Sequence, residues 1–228
     1  MFFDVGETLV HVEPTFVDLF VEVLEREGQT RSVAEVREAS SHVYDRFSEA
    51  ARDKVLWTTS PERSRAFWTS VYERMLGELG LEDVDGLPRT LYEEFTRLEN
   101  YALFDDVRPA IQSLEGEGLV LGIVSNFEAW LEEWFGVHEL TERFPVRVIS
   151  GIEGIEKPDL RIYRLALQRA NVVASEAAYV GDNPEFDVHP PAELGMFPVL
   201  IDRRGRHLSF QGARISDLRD LPALLEAS

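Results

Sequence analysis

The chain has 228 residues, 44% hydrophobic and 29% charged, which excludes collagen-like, coiled-coil and wholly disordered proteins and suits one large globular unit or a core carrying an inserted lobe. Cysteine is absent, so disulfide scaffolds, thiolate metal sites and cysteine nucleophiles are excluded. The 42 acidic and 23 basic residues give a net charge of -19, which disfavours nucleic acid and anionic membranes as partners. Because the sequence has neither a long apolar run nor a secretory signal, the protein is expected to be soluble and cytoplasmic.

The opening segment Phe2–Thr8 predicts a very short apolar strand followed by a turn, which Gly6 permits. A central strand usually has about five or six residues. The predicted strand is shorter than this, which is compatible with a truncated or a misassigned start.

From Pro14 to about Asn100 the hydrophobic period is that of a helix and no convincing strand occurs, so residues 11–100 are predicted to be an inserted, mainly helical lobe. Four helices are expected. The first carries Phe16 to Leu24 and ends at Gly28, and the second begins at the capping box Ser32–Glu35 and continues through Val43 and Phe47. The third begins at Ser60–Pro61, and the fourth covers Leu91 to Leu98.

After Tyr101 the pattern changes to alternating strands and helices. Strands are predicted at 119–124, 146–149, 177–180 and 197–201, and helices after Asp106, near Trp130 and at 159–170, 184–194 and 218–225. Such alternation predicts an α/β fold with a doubly wound parallel sheet, built from residues 1–10 and 101–228. Ligands of such sheets bind beyond the carboxyl ends of the strands.

Four polar segments lie at or just beyond those predicted strand ends: Asp4–Thr8, Ser125–Asn126, Lys157–Asp159 and Gly181–Asp187. Each has an ordinary structural interpretation, as a helix cap, a turn or, for Lys157, a solvated charge. Lys157 is nevertheless one of only two lysines in the chain. The four segments together, in this order, favour a functional site.

The segments FFDVGETL, GIVSNF, EKPDLRIY and YVGDNPEFD resemble the four ordered motifs of the haloacid dehalogenase superfamily of hydrolases. The resemblance covers nearly the whole chain and includes the helical cap inserted after the first motif, Ser150–Glu153 before the lysine motif and Gly195 after the last. It implies a Rossmann-like core, with a cap at residues 11–100 that closes over the site and sets specificity.

The resemblance implies that Asp4 is a nucleophile that forms a covalent aspartyl intermediate, and that Lys157 neutralises charge on it and on the transferring group. Ser125 and Asn126 would bind the substrate. Thr8 would contribute a hydroxyl there, although a structural contact in the turn fits it equally well.

The resemblance also implies a Mg²⁺ cofactor held by the carboxylates of Asp4 and Asp182 and by the backbone carbonyl of Gly6. Asp187 would orient the metal-bound waters or Lys157. The expected activity is hydrolysis of a small phosphorylated metabolite.

The sequence departs from the phosphatases of this superfamily at Gly6, where they usually carry an aspartate that acts as general acid and base. Glu7, His11 and Glu13 are the nearest candidates to replace it. The 2-haloacid dehalogenases also lack this aspartate, so dehalogenation is an alternative, although those metal-free enzymes do not resemble this chain at Asp182.

Two further alternatives follow from the same position. The phosphonate-cleaving branch also has a small residue there and uses a cap lysine, but the surroundings of Lys54, the only lysine in the cap, do not resemble that branch's motif. A protein that keeps the fold and the metal site as a binding module, with weakened turnover, is the other alternative.

Overall fold

The computed structural model describes residues 1–53, 55–81 and 84–226, so Lys54 lies outside the described residues. The chain divides into two compact units. The core unit consists of Met1–Val10 and Leu103–Ser228, and the inserted unit of His11–Ala102.

The strands of the described residues are, in chain order, β1 (Phe2–Phe3), β2 (Val10–Val12), β3 (Tyr101–Leu103), β4 (Gly122–Ser125), β5 (Val146–Ile149), β6 (Ala178–Gly181), β7 (Phe197–Ile201) and β8 (Arg214–Ile215). Six of them form one sheet in the order β5-β4-β1-β6-β7-β8, and β2 pairs with β3 where the chain passes between the units. Every neighbouring pair in the six-stranded sheet is parallel. The predicted α/β fold is confirmed.

The short strand β1 lies at the centre of this sheet, where Phe3 is aligned with Ile123 of β4 and with Val180 of β6. Both of its phenylalanines are buried, as expected for a parallel sheet covered on both faces. Gly122 allows the close approach of β1, because a Cβ atom at this position would lie 2.8 Å from the Phe2 ring.

The helices of the core unit are α6 (Val107–Gly116), α7 (Leu131–Val137), α8 (Ser150–Glu153), α9 (Leu160–Ala170), α10 (His189–Leu194) and α11 (Leu221–Glu226), with a π-helical turn at Pro184–Val188. Helix α9 shows why the sequence folds in this way: Asp159 caps its first turn, the buried residues Ile162, Tyr163 and Ala166 follow the helical period, and Asn171 ends it in the left-handed conformation.

The helices of the inserted unit are α1 (Phe16–Arg26), α2 (Val33–Ala39), α3 (Val43–Asp53), α4 (Pro61–Glu78) and α5 (Leu87–Phe95). The capping box at Ser32 and Glu35 is present. The prediction of one helix from Ser32 through Phe47 was wrong, because a 3-10 turn at Ser40–His42 separates α2 from α3. Serine competes with the helix for backbone hydrogen bonds, and Ser40 donates to the carbonyl of Arg37.

No helix among residues 1–53, 55–81 and 84–226 combines the length and apolar character that a membrane span requires. The structure differs from the predicted elements mainly in short pieces. Helix α8 and strands β2, β3 and β8 were not predicted, and β4 begins three positions after the start of the apolar run at Leu119.

Candidate active site

Polar side chains gather beyond the carboxyl ends of the three central strands. Asp4 directly follows β1, Ser125 closes β4, and Asp182 directly follows β6. Because these strands are parallel neighbours, their ends lie at one edge of the sheet. The backbone N–H of Asp4 donates to the carbonyl of Val180 at 2.8 Å, which fixes the start of this loop against β6.

The carboxylate of Asp4 is buried and asymmetric in its contacts. Its Oδ1 accepts one hydrogen bond from Ser125 Oγ at 3.0 Å and another from Lys157 Nζ at 2.6 Å. No hydrogen bond from the described residues reaches Oδ2. One carboxylate oxygen is therefore held by donors, while the other is available for a ligand or a reaction.

Lys157 is the cationic centre of this cluster. Its side chain is 3% exposed, and its ammonium lies 2.6 Å from Asp4 Oδ1 and 2.7 Å from Asp187 Oδ1. Burial by itself would lower the pKa of Lys157, but the carboxylates of Asp187 and Asp4 raise it above the ordinary value of lysine. The interpretation of Lys157 as a solvated surface charge is wrong, and the ammonium stays charged.

The backbone of Lys157 is held by the segment that follows β4. Asn126 Oδ1 accepts from the N–H of Lys157 at 2.7 Å, and Asn126 Nδ2 donates to its carbonyl at 2.9 Å. The next residue, Phe127, is held in turn, because its N–H and carbonyl both bond to Ser150 Oγ. Gly151 permits this contact, since a Cβ there would lie 2.8 Å from the carbonyl oxygen of Phe127.

Asp182 and Asp187 complete the cluster. Carboxylate oxygens of Asp4, Asp182 and Asp187 all lie within 4.8 Å of one another. Burial raises the pKa of Asp187 to about 6 despite the opposing attraction of Lys157. Burial, followed by repulsion from Asp187 and Asp4, raises the pKa of the half-buried Asp182 well above its usual value.

Comparison with known proteins identifies the family. A family profile described as a hydrolase, haloacid dehalogenase-like hydrolase, matches residues 1–195. The chain belongs to this family. The resemblance of the four motifs is thereby confirmed.

Relatives of this haloacid dehalogenase-like hydrolase differ in their named activities. The chain is 29% identical, over 98% of its length, to haloacid dehalogenase-like hydrolase domain-containing protein 3 of Danio rerio, and the match covers 94% of that protein. It is 32% identical over 74% of its length to a phosphoserine phosphatase of Thermus thermophilus, of which 72% is covered. A solved 2-haloacid dehalogenase from Pseudomonas syringae shares the fold, with a TM-score of 0.61 and 24% identity, over 99% of this chain and 97% of that one.

The acidic cluster of this haloacid dehalogenase-like hydrolase fits a divalent cation. Carboxylate oxygens are the ligands that Mg²⁺ prefers. Asp4, Asp182 and Asp187 bring three carboxylates together, and Lys157 bonds to two of them. When all four groups are ionised, the cluster keeps two uncompensated negative charges. Asp182, which the ammonium does not contact, is the carboxylate that most needs a cation.

The hydrolase has no side chain at Gly6, but the backbone there has room for a Cβ atom. A Cβ atom there would lie 3.8 Å from Phe127 Cε2, an ordinary van der Waals distance. Of the candidates for the missing acid, Glu7 is ion-paired with Arg204 at 2.6 Å. His11 and Glu13 belong to the inserted unit, where they lie 3.5 Å apart.

Thr8 and Asn126 are predicted site residues whose contacts lie outside the acidic cluster. Thr8 is fully buried, and its Oγ1 has no hydrogen-bond partner among the described residues. Its carbonyl accepts from Arg203 at 2.7 Å, and Arg203 also forms two hydrogen bonds with Asp106. The side chain of Asn126, predicted to bind substrate, is engaged with the backbone of Lys157. The carbonyl of Gly6 stays a predicted metal ligand.

Sequence reasoning missed one side chain at the centre of the cluster. The hydroxyl of Tyr179, on β6, lies 3.2 Å from Lys157 Nζ. The available signal was a phenol within the otherwise apolar segment Ala177–Val180, since a buried tyrosine hydroxyl usually has a hydrogen-bond partner.

Proposed function

We propose that this hydrolase is a Mg²⁺-dependent phosphatase that transfers the phosphoryl group of a small metabolite to Asp4 and then to water. The observation that carries the proposal is the state of the Asp4 carboxylate. Ser125 and Lys157 hold its Oδ1, while its Oδ2 accepts no hydrogen bond from the described residues. A buried carboxylate fixed through one oxygen is suited to attack with the other.

The first step forms a bond between Asp4 Oδ2 and phosphorus while the bond from phosphorus to the leaving oxygen breaks. The leaving oxygen keeps the electron pair and either takes up a proton, as an alcohol does, or departs as a phenolate. In the second step the oxygen of water bonds to phosphorus and the bond to Asp4 breaks. This step regenerates the carboxylate, releases phosphate, and passes the proton of water to a base or to the solvent.

The charged groups of the site would stabilise the charge that develops in these steps. Lys157 balances negative charge on Asp4 and on the transferring group, and the Ser125 hydroxyl is close enough to Asp4 to contact a phosphoryl oxygen bound there. Asp4 and Asp182 would hold Mg²⁺, with Asp187 beside them. When bound, Mg²⁺ supplies positive charge for phosphate oxygens.

Two further observations support phosphate chemistry. The relative from Thermus thermophilus that matches 74% of the chain is named a phosphoserine phosphatase. In addition, Lys157 is buried, Asp187 and Asp4 raise its pKa, and its ammonium lies 2.6 Å from the carboxylate that would carry the phosphoryl group. With a net charge of -19, the protein is suited to a small substrate and not to nucleic acid.

The test is release of p-nitrophenolate from p-nitrophenyl phosphate with Mg²⁺, recorded from the earliest times. Asp4→Asn should abolish release. Asp217→Asn, the same chemical change at a residue that caps the segment Leu218–Asp220, should leave the rate unchanged. A burst of about one nitrophenolate per protein followed by slow release would show that Asp4 is phosphorylated but that attack by water is slow.

Halide displacement from a 2-haloacid is a second candidate, because Gly6 leaves this position without an acid and a halide departs without a proton. The third carboxylate, Asp182, weighs against it, since displacement without a metal has no use for the extra negative charge. Asp4-dependent halide release at full rate in the presence of a chelator, together with no action on p-nitrophenyl phosphate, would replace the phosphatase proposal with this one.

A further inference from the structure

The hydroxyl of Tyr179 lies between two groups whose hydrogen-bonding roles are fixed. It is 2.6 Å from the carbonyl oxygen of Val124, which can only accept, and 3.2 Å from Lys157 Nζ, which can only donate. Asp187 is a second acceptor near the phenol, but the short contact to Val124 takes the single proton of Tyr179, and the hydroxyl oxygen accepts from Lys157. Burial raises the pKa of the phenol well above its usual value, which keeps that proton in place.

This contact completes the hydrogen bonding of the Lys157 ammonium. An ammonium has three N–H donors. Two of them reach Asp4 and Asp187, and the third reaches Tyr179. Because the lysine side chain is almost fully buried, losing one acceptor would leave a donor without a partner away from water.

We propose that Tyr179 is a positioning residue: its hydroxyl fixes the rotation of the Lys157 ammonium, so that two N–H groups point at the carboxylates of Asp4 and Asp187. The value of this role for turnover rests on the proposed function. Tyr179 also links β6 to β4, because its hydroxyl bonds to the carbonyl of Val124, the residue immediately before Ser125. One phenol thus connects the two groups that hold Asp4 Oδ1.

Tyr163 provides a matched control. It is also a fully buried tyrosine, its ring meets the ring of Tyr179 edge to face, and its hydroxyl likewise donates to a backbone carbonyl, that of Phe186. Its hydroxyl makes no hydrogen bond to Lys157. Tyr163→Phe and Tyr179→Phe therefore both leave a buried carbonyl without a donor, and we expect similar losses of stability.

The direct test measures the Lys157 ammonium itself. The chain has only two lysines, so lysine labelled with ¹⁵N at Nζ gives two ammonium signals at most, and Lys54→Arg assigns the signal of Lys157. In the full-length protein with Mg²⁺, Tyr179→Phe should raise the exchange of the Lys157 ammonium protons with water about tenfold or more, because a hydrogen bond from a charged donor is lost. Tyr163→Phe should change it less than about twofold.

The kinetic measurement asks whether that position matters for turnover. With p-nitrophenyl phosphate, Tyr179→Phe should lower kcat about tenfold with little change in KM, because the interaction with Asp4 gains importance as charge is transferred. Tyr163→Phe should retain kcat within about twofold.

Three results would overturn the inference: unchanged ammonium exchange in Tyr179→Phe, equally raised exchange in Tyr163→Phe, or raised exchange with an unchanged kcat in a protein that turns over. A wild-type protein without Asp4-dependent turnover would instead remove the proposed function. Ammonium exchange would then still decide whether Tyr179 positions Lys157.

Discussion

Gly181 leaves room for the carboxylate of Asp187, and replacing it with alanine should disturb the cluster directly. A Cβ atom at Gly181 would lie 2.3 Å from Asp187 Cγ and 2.5 Å from its Oδ2. Carbon atoms in contact are normally about 3.5–4.0 Å apart, so Asp187 must move by about 1 Å or more. The new methyl group would push it away from β6.

The expected cost follows from what holds Asp187 in place. Its Oδ1 accepts from Lys157 at 2.7 Å and its Oδ2 accepts from the N–H of Asn183 at 3.0 Å. Hydrogen bonds to charged groups contribute about 1.5–3 kcal/mol each, and overpacking costs about 1–3 kcal/mol. Because Asp187 can shift and keep part of both bonds, we expect Gly181→Ala to lower the free energy of unfolding by about 2–4 kcal/mol.

Urea and thermal unfolding of Gly181→Ala and of the control variant Gly6→Ala provide the assay. For a chain of this length, the expected loss corresponds to a fall in Tm of about 5–15 °C. Gly6→Ala is the control, because neither glycine has a left-handed backbone and the Cβ at Gly6 meets only Phe127 at 3.8 Å. It should be neutral or stabilise by up to about 1 kcal/mol through the unfolded state. Equal stability of the two variants, within about 0.5 kcal/mol, would refute this reasoning.

Three further predictions concern other parts of the core unit. Gly6→Asp should raise the rate on alkyl phosphates by about 10²-fold and the rate on p-nitrophenyl phosphate much less, since only the alkoxide needs a proton. Steady-state kinetics on both substrates tests this, and equal effects on the two rates would contradict the prediction. Asp182→Asn should raise the melting temperature without Mg²⁺, because it relieves the repulsion of Asp182 by Asp187 and Asp4, and it should remove the stabilisation by Mg²⁺. Titration of the wild type and the variant with MgCl₂ tests this. The same rise in melting temperature in both proteins would contradict a metal site at Asp182. Arg203→Met should lower the free energy of unfolding in urea by about 3–5 kcal/mol, because it leaves the buried carboxylate of Asp106 without its cation. Arg89→Met, in the exposed pair with Glu93, should lower it by less than about 1 kcal/mol. Similar losses in the two variants would contradict the expected effect of burial.

Much of the core unit could be predicted because its sequence pattern and its packing agree. The strands at Val146–Ile149 and Phe197–Ile201 match their predicted bounds, since apolar runs between turn signals indicate buried strands. Strand β8 could not be predicted in this way, because a two-residue strand at the edge of the sheet has no period to detect. Its pairing with β7 arises from tertiary contacts.

The candidate site was predictable in its residues and less so in their contacts. The sequence indicates that Asp4 and Asp182 directly follow strands, and parallel topology brings such strand ends together. Lys157 does not lie at a strand end, because the short helix α8 separates it from β5. Sequence alone does not reveal that Asn126 bonds to the backbone of Lys157 or that Tyr179 accepts from its ammonium. Both contacts depend on distances across the sheet that no local pattern encodes.

The pairing of β2 with β3 brings the two ends of the inserted unit together. The N–H of Phe104 donates to the carbonyl of Leu9 at 3.1 Å, and the N–H of Glu13 donates to the carbonyl of Asn100 at 2.9 Å. Because the entropy of closing a loop grows only slowly with its length, the segment between two such joined points can lengthen, shorten or be exchanged at little cost to the sheet. The inserted unit can therefore change in length and sequence while the carboxylates and the lysine of the core unit stay as they are.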